Sequence, residues 1–304
     1  MPSDVCLKCE NMSVFILKLI AVLSMVTDHV SYVLTLAMGM NSPFLFSMRA
    51  VGRMAFPIYA FLLVNGFDRT KNKKAYLERL FLFALISQIP FSLAFTPANY
   101  SAAGLEGIRI YLNSEWFAET AGLAFALVVF FFTLYKRTAQ KGFWYILLSL
   151  FAAPVCVVLG GIYVLGEQLN VFYTLAVSFA AIWAADMLIR ERNSSSRTEL
   201  WLTAAACIAL VLCVLPRSDY GFKGLLLIGA LYLAKDKRIF QLIVTAAWAM
   251  WMYGYSHALL IGALAACIPL ALYNGKLGKK MKTLFYLIYP LHLTALFFIG
   301  LALG

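Results

Sequence analysis

Residues 14–38 read VFILKLIAVLSMVTDHVSYVLTLAM, and Lys18, Asp28 and His29 are the only charged or imidazole side chains in the run. A helix needs about 20 predominantly apolar residues to cross a bilayer core, so this run is long enough. No small-residue cleavage pattern follows it, which makes it a retained helix and not a removed signal. Comparable runs recur at 44–66, 76–95, 117–135, 143–165, 169–189, 200–216, 222–234, 239–253, 257–273 and 283–303. The expectation is an all-α fold: a polytopic transmembrane helical bundle of about eleven spans, forming one domain over residues 1–304. The runs at 222–234 and 239–253 are short and can be re-entrant or half-buried.

Composition agrees. Of the 304 residues, 63% are hydrophobic and 13% charged, and the mean hydropathy is +0.83. A soluble domain has roughly 45–50% apolar and about 25% charged residues. A soluble enzyme, a disordered chain and a nucleic-acid binder are therefore excluded. The net charge of +11 is mostly a topology signal, because most basic residues fall in alternate loops. These are Arg69, Lys71, Lys73, Lys74 and Arg79; Lys136, Arg137 and Lys141; Arg190, Arg192 and Arg197; Lys235, Lys237 and Arg238; and Lys276, Lys279, Lys280 and Lys282. The positive-inside rule then puts the N-terminus in the cytoplasm and, with eleven spans, the C-terminus outside. The expected home is the bacterial cytoplasmic (inner) membrane. Cys6 and Cys9 form a CxxC with no second pair, and Cys156, Cys207, Cys213 and Cys267 lie in apolar runs, so neither a metal site nor a disulfide framework is expected.

Ionisable residues at membrane depth are costly and mark function by default. Asp28 and His29 lie roughly 22 Å along the first span, at about 1.5 Å per residue. Arg49 and Arg53 are spaced i,i+4 and share a helix face. Gln88 lies in the third span, and Asp219, Tyr220 and Lys223 sit at the mouth of the eighth. His292 lies in the last. Adjacent helical residues point about 100° apart, so Asp28 is expected to pair with an arginine and not to orient His29. Two arginines together suit a phosphate or a developing oxyanion. The plain alternative is that these groups only neutralise one another between helices. Asp186 is expected to snorkel or to pair with Arg190, and His257 to be interfacial.

Six ordered blocks carry a resemblance. Leu17-Lys18-Leu19-Ile20-Ala21 precedes Asp28-His29; Gly52-Arg53-Met54-Ala55-Phe56-Pro57 leads to Phe61-Leu62-Leu63-Val64-Asn65-Gly66; and Phe83-Ala84-Leu85-Ile86-Ser87-Gln88-Ile89-Pro90-Phe91 follows. Asp219-Tyr220-Gly221 with Gly224, Tyr273-Asn274-Gly275-Lys276 and Phe285-Tyr286-Leu287-Ile288-Tyr289-Pro290-Leu291-His292 complete the set. Together they resemble the TraX family of bacterial membrane proteins. Asn65 stands where that family often has an acidic residue, and its Leu-Asn block matches Leu112-Asn113 or Leu169-Asn170. Residues 97–216 align poorly.

The family's named member is associated with acetylation of the amino terminus of conjugative pilin. The resemblance therefore implies an integral-membrane acyltransferase. It would move an acetyl group from cytoplasmic acetyl-CoA, its donor, to an amine or hydroxyl acceptor at the outer face. The acceptor would be a peptide amine, a sugar or a cell-surface polymer. His29 would be the base, Arg53 the oxyanion stabiliser, and Asp28 and Arg49 its supports. His292 would be the rival base, Gln88, Asp219, Tyr220 and Lys223 would line the acceptor side, and Asn274, Lys276 and Arg79 would meet the CoA phosphates. No metal is called for; membrane lipids are the other partner. A proton-coupled secondary transporter using Asp28, His29 and Arg53 is the main alternative. An assembly partner for surface appendages, in which the intramembrane charges have no chemical job, is the third reading.

Overall fold

A computed structural model describes residues 12–100, 168–190, 218–279 and 281–303. Among them the regular structure is helical, with two isolated parallel bridges, Met12 to Tyr273 and Leu169 to Ser218, and no strand. The helices are α1 (Val14–Met38), α2 (Pro43–Gly52), α3 (Ala55–Arg69), α4 (Lys73–Phe95), α5 (Val171–Arg190), α6 (Gly221–Leu233), α7 (Arg238–Tyr253), α8 (His257–Leu264), α9 (Cys267–Ala271) and α10 (Lys282–Leu303). Four stretches are long and apolar enough to cross a membrane: Val14–Met38, Pro43–Arg69, Lys73–Phe95 and Leu284–Leu303. The protein is a helical membrane protein.

The expected eleven crossings are not reached among the described residues. The apolar helices Val171–Met187, Gly221–Leu233 and His257–Ala271 are shorter than a full span. The run at 257–273 is interrupted between α8 and α9. The runs at 117–135, 143–165 and 200–216 lie outside the described residues, as do Cys6, Cys9, Cys156, Cys207 and Cys213.

The second span is broken, and its sequence says why. Pro57 has no N–H to give the carbonyl of Arg53, and its ring crowds that carbonyl. The chain tightens there into a short i→i−3 turn. Arg53 N–H donates to Ala50 O at 3.1 Å and Met54 N–H to Val51 O at 3.4 Å. Helix α3 restarts at Ala55.

Contacts group the described chain into two compact units. The first takes residues 12–35, 41–69, 226–279 and 281–292. Its centre is α3, buried at successive positions from Ala55 to Ile58 and from Ala60 to Val64, as expected of a helix that is apolar all round. Edge-to-face or tilted rings tie α3 to its surroundings: Phe56 with Trp248 at 5.6 Å, Phe61 with Tyr273 at 5.4 Å and Phe67 with Tyr232 at 5.5 Å. The N-terminal N–H groups of a helix have no partner within it. At α1 the segment 272–277 supplies partners: Val14 N–H donates to Lys276 O at 2.9 Å and Phe15 N–H to Leu277 O at 3.1 Å.

The second unit takes residues 36–40, 70–100, 168–190, 218–225 and 293–303. There α4 packs along α5, with Tyr76 against Phe179 at 4.7 Å. Lys73 pairs with the buried Asp186 at 2.9 Å. Asp186 thus finds a counter-charge on a neighbouring helix, a partner that the expectation of snorkelling or of pairing with Arg190 did not name.

Candidate functional site

The polar centre of the first unit is assembled from α1, α2 and the N-terminal half of α10. Asp28 Oδ2 accepts a hydrogen bond from Arg53 Nη2, and Arg49 Nε lies 3.8 Å from Oδ1. The side chains of Asp28 and Arg53 are 14% and 13% exposed, against 30% for Arg49. Asp28 Oδ1 is buried and accepts no hydrogen bond. Arg53 Nε also donates to Arg49 O at 3.3 Å. Each guanidinium lies over a ring, Arg49 on Tyr32 at 4.6 Å and Arg53 on Tyr253 at 5.9 Å. Asp28 pairs with an arginine, as the helical angle requires.

Glycine makes this approach possible. A Cβ on Gly52 would fall inside the Asp28 side chain, and one on Gly262 would collide with the Ala50 carbonyl. Small residues at crossings let membrane helices approach closely. Ser31 Oγ, buried on α1, donates to Leu45 O at 2.6 Å and closes the same seam.

At the next residue after Asp28, His29 Nδ1 lies 2.7 Å from His292 Nε2. The ring planes are 9° apart with centroids at 5.0 Å. That separation equals two ring radii plus the nitrogen–nitrogen distance, so the rings meet edge to edge. His292 Nδ1 lies 2.7 Å from Ile288 O. A carbonyl only accepts, so that nitrogen carries the proton, and in a neutral ring Nε2 must then accept. His29 Nδ1–H is its donor. The network assigns the Nδ1–H tautomer to both neutral rings.

Sequence reading grouped Asp28, His29, Arg49, Arg53, Asp219, Lys223 and His292 by depth. The structure brings together five of these. Asp219 and Lys223 belong to the second unit, with Tyr220 and Gln88. Gln88 is occupied at both ends of its amide: Nε2 donates to Ser92 Oγ at 3.1 Å and Gln168 O at 2.9 Å, and Oε1 accepts from Asn170 N–H and Nδ2. It is a clasp for the start of α5. Asp219 is tied through its backbone, N–H to Leu169 O at 2.8 Å and carbonyl from Thr174 Oγ1. Tyr220 takes a positive φ of 62° at the turn into α6.

The residues expected to meet CoA phosphates build structure as well. Asn274 Oδ1 accepts from Lys276 N–H at 2.9 Å, an Asx turn, and Asn274 N–H donates to Met12 O at 2.9 Å. Arg79, in the second unit, lies over the Tyr76 ring at 5.6 Å. Asn170, paired with Gln88, was not singled out as a site residue, although Leu169-Asn170 was legible as a block. Among the described residues no three His, Cys, Asp or Glu side chains gather as a metal set. His257 is exposed.

The profile of the family described as TraX protein matches residues 13–165 and 110–300. The chain belongs to the TraX family. The two matches overlap at 110–165, inside the stretch that the sequence motifs leave poorly aligned. The chain is also similar to the probable fimbrial assembly protein FimC, serogroup H1, of Dichelobacter nodosus. The two are 26% identical over 290 residues, covering 94% of this chain and 95% of the relative. No solved structure matches. Family membership is as the motifs implied, but the function drawn from them is overturned. A TraX match joined to an end-to-end relative named for fimbrial assembly points away from both acetyl-CoA-dependent acyl transfer and solute transport.

Proposed function

We propose that this TraX-family protein is a multi-pass membrane factor that handles fimbrial subunits during their assembly. It would sit in the bacterial cytoplasmic membrane with the N-terminus on the cytoplasmic side, a placement supported by the alternation of basic loops. The observation that carries the reading is the similarity to a fimbrial assembly protein across nearly the whole of both chains. The polar centre suits a framework. Asp28 is taken up by two arginines and His29 by His292, so these groups hold α1, α2 and α10 in register. Interhelical polar contacts of this kind give membrane bundles their specificity. The intramembrane charges then have a structural job in assembly.

The test is genetic and microscopic. Deleting the gene in a fimbriated strain should leave the subunit present in the membrane fraction by immunoblot while surface fimbriae disappear from electron micrographs. The wild-type gene should restore them, and Asp28→Asn should restore fewer in proportion to its lower folded level. Normal fimbriation in the deletion strain would overturn the proposal.

A further inference from the structure

At one end of the first unit, where α3 finishes and the turn between α6 and α7 begins, lies a cavity of about 190 Å³. Its polar lining is Asn65 and Asp68 of α3, Lys235 and Asp236 of the turn, and Arg238 and Gln241 of α7. None of these belongs to the polar centre around Asp28. The ionic groups are two carboxylates and two cations, so the lining is neutral overall but charge-separated. Asp68 and Lys235 pair at 2.9 Å at the rim, and Asp236 is exposed there. Arg238 is fixed at the wall, its Nη1 donating to Leu270 O at 2.7 Å and Tyr273 O at 3.0 Å.

Gln241 gives the cavity its meaning. The residue is 4% exposed, yet its carboxamide forms no hydrogen bond with any described residue. Its amide atoms are not sealed away from solvent-sized space but open onto the cavity they line. Beside it, Asn65 uses its amide nitrogen on Phe61 O at 3.0 Å and leaves its oxygen to the cavity. At roughly 30 Å³ per water in the liquid, the space corresponds to a solute of only a few heavy atoms.

We propose that this cavity binds a small zwitterion, a group with an ammonium at one end and an acidic oxygen group at the other. Asp68 and Lys235 already neutralise each other, so the lining offers a ligand the Asp236 carboxylate at the rim and the Arg238 guanidinium at the wall; a zwitterion matches both, whereas a ligand of net charge matches only one. The carboxamides of Gln241 and Asn65 take its remaining donors and acceptors. Two sources share this chemistry: the head group of an aminophospholipid, and a free amino acid.

The test uses the full-length protein, purified and delipidated in detergent, with O-phosphoethanolamine and L-alanine as probes. Thermal unfolding should shift upward and saturate with at least one of them, because a ligand that binds only the folded state stabilises it. Response to O-phosphoethanolamine alone identifies the lipid head group, response to L-alanine alone the free amino acid, and response to both the shared zwitterion. Gln241→Leu should weaken binding at least tenfold. Asp236→Asn, at an exposed position, should do the same while unfolding at the wild-type temperature without ligand. The proposal is overturned by no saturable shift with either probe, by equal shifts with ethanolamine or inorganic phosphate, or by wild-type affinity in both variants.

Discussion

Replacing Asp28 by Asn tests the electrostatics of the polar centre most directly. The cluster holds one carboxylate and two guanidiniums, so it carries one net positive charge. Asp28→Asn raises that to two and leaves Arg53, 13% exposed, without its counter-ion. Removing one partner of a buried pair costs about 3–5 kcal/mol, and an arginine at membrane depth costs about 2.5–3.5 kcal/mol on insertion scales. The two estimates meet near 3 kcal/mol. Arg53→Gln leaves Asp28 facing Arg49 and loses a charged hydrogen bond of about 1.5–3 kcal/mol. Arg49→Gln breaks only a longer, more exposed contact, worth roughly 0–1 kcal/mol. The expected order of damage is therefore Asp28→Asn, then Arg53→Gln, then Arg49→Gln. Mixed-micelle denaturation followed by far-UV ellipticity reads all three, and a double-mutant cycle between Asp28 and Arg53 should show clear coupling. Equal losses for Asp28→Asn and Arg49→Gln would refute the reasoning.

Gly52→Ala forces a methyl into Asp28 and should cost about 1–3 kcal/mol as an overpacked contact, whereas Gly229→Ala in α6, with open space around it, should gain about 0.5–1 kcal/mol from helix propensity; the same denaturation assay compares them. Tyr273 lies in the loop after α9, and burial raises its phenol above the usual range while Arg69 and Arg238 oppose that. A group whose folded pKa is raised loses its contribution to stability as pH climbs through and above the unfolded value. Tyr273→Phe, which also removes a buried hydroxyl lacking a hydrogen bond, should thus match or exceed wild-type stability near neutrality, and its advantage should widen above about pH 10; a constant gap across an alkaline stability series would count against this. Lys73→Ala removes one counter-charge of the buried Asp186 and should destabilise the α4–α5 pair by about 1.5–3 kcal/mol, the worth of a charged hydrogen bond, visible as selective loss of amide exchange protection in those helices. Nitrogen-15 NMR of labelled histidine should find the neutral rings of His29 and His292 in the Nδ1–H form; an Nε2–H signal from either would dismantle the assigned chain.

Much of this was legible in residues 14–38 and their repeats, because length and hydropathy are local properties. The ends of α1 and α10 fall within a residue of the hydrophobic runs. The count of crossings was less legible, since an apolar run of thirteen to seventeen residues satisfies hydropathy without spanning a bilayer. The break at Arg53 could have been read from Pro57, four residues on. Asp28 was readable as an arginine partner from helix geometry alone. His29 with His292 was not, because 263 residues separate them and depth along a helix does not fix which side faces which neighbour. The same ambiguity hid the fact that Gln88 is already committed to Asn170.

The break in the second span has an electrical consequence. Helix α2 stops at Gly52, with Arg53 as its C-terminal cap and Arg49 in its last turn. The aligned peptide dipoles of a helix leave roughly half a negative charge at that terminus. The cluster of one carboxylate and two guanidiniums therefore sits against a negative pole that offsets much of its surplus. A continuous helix through Pro57 would carry that pole away to the far end of α3 and leave an arginine uncompensated inside the bilayer.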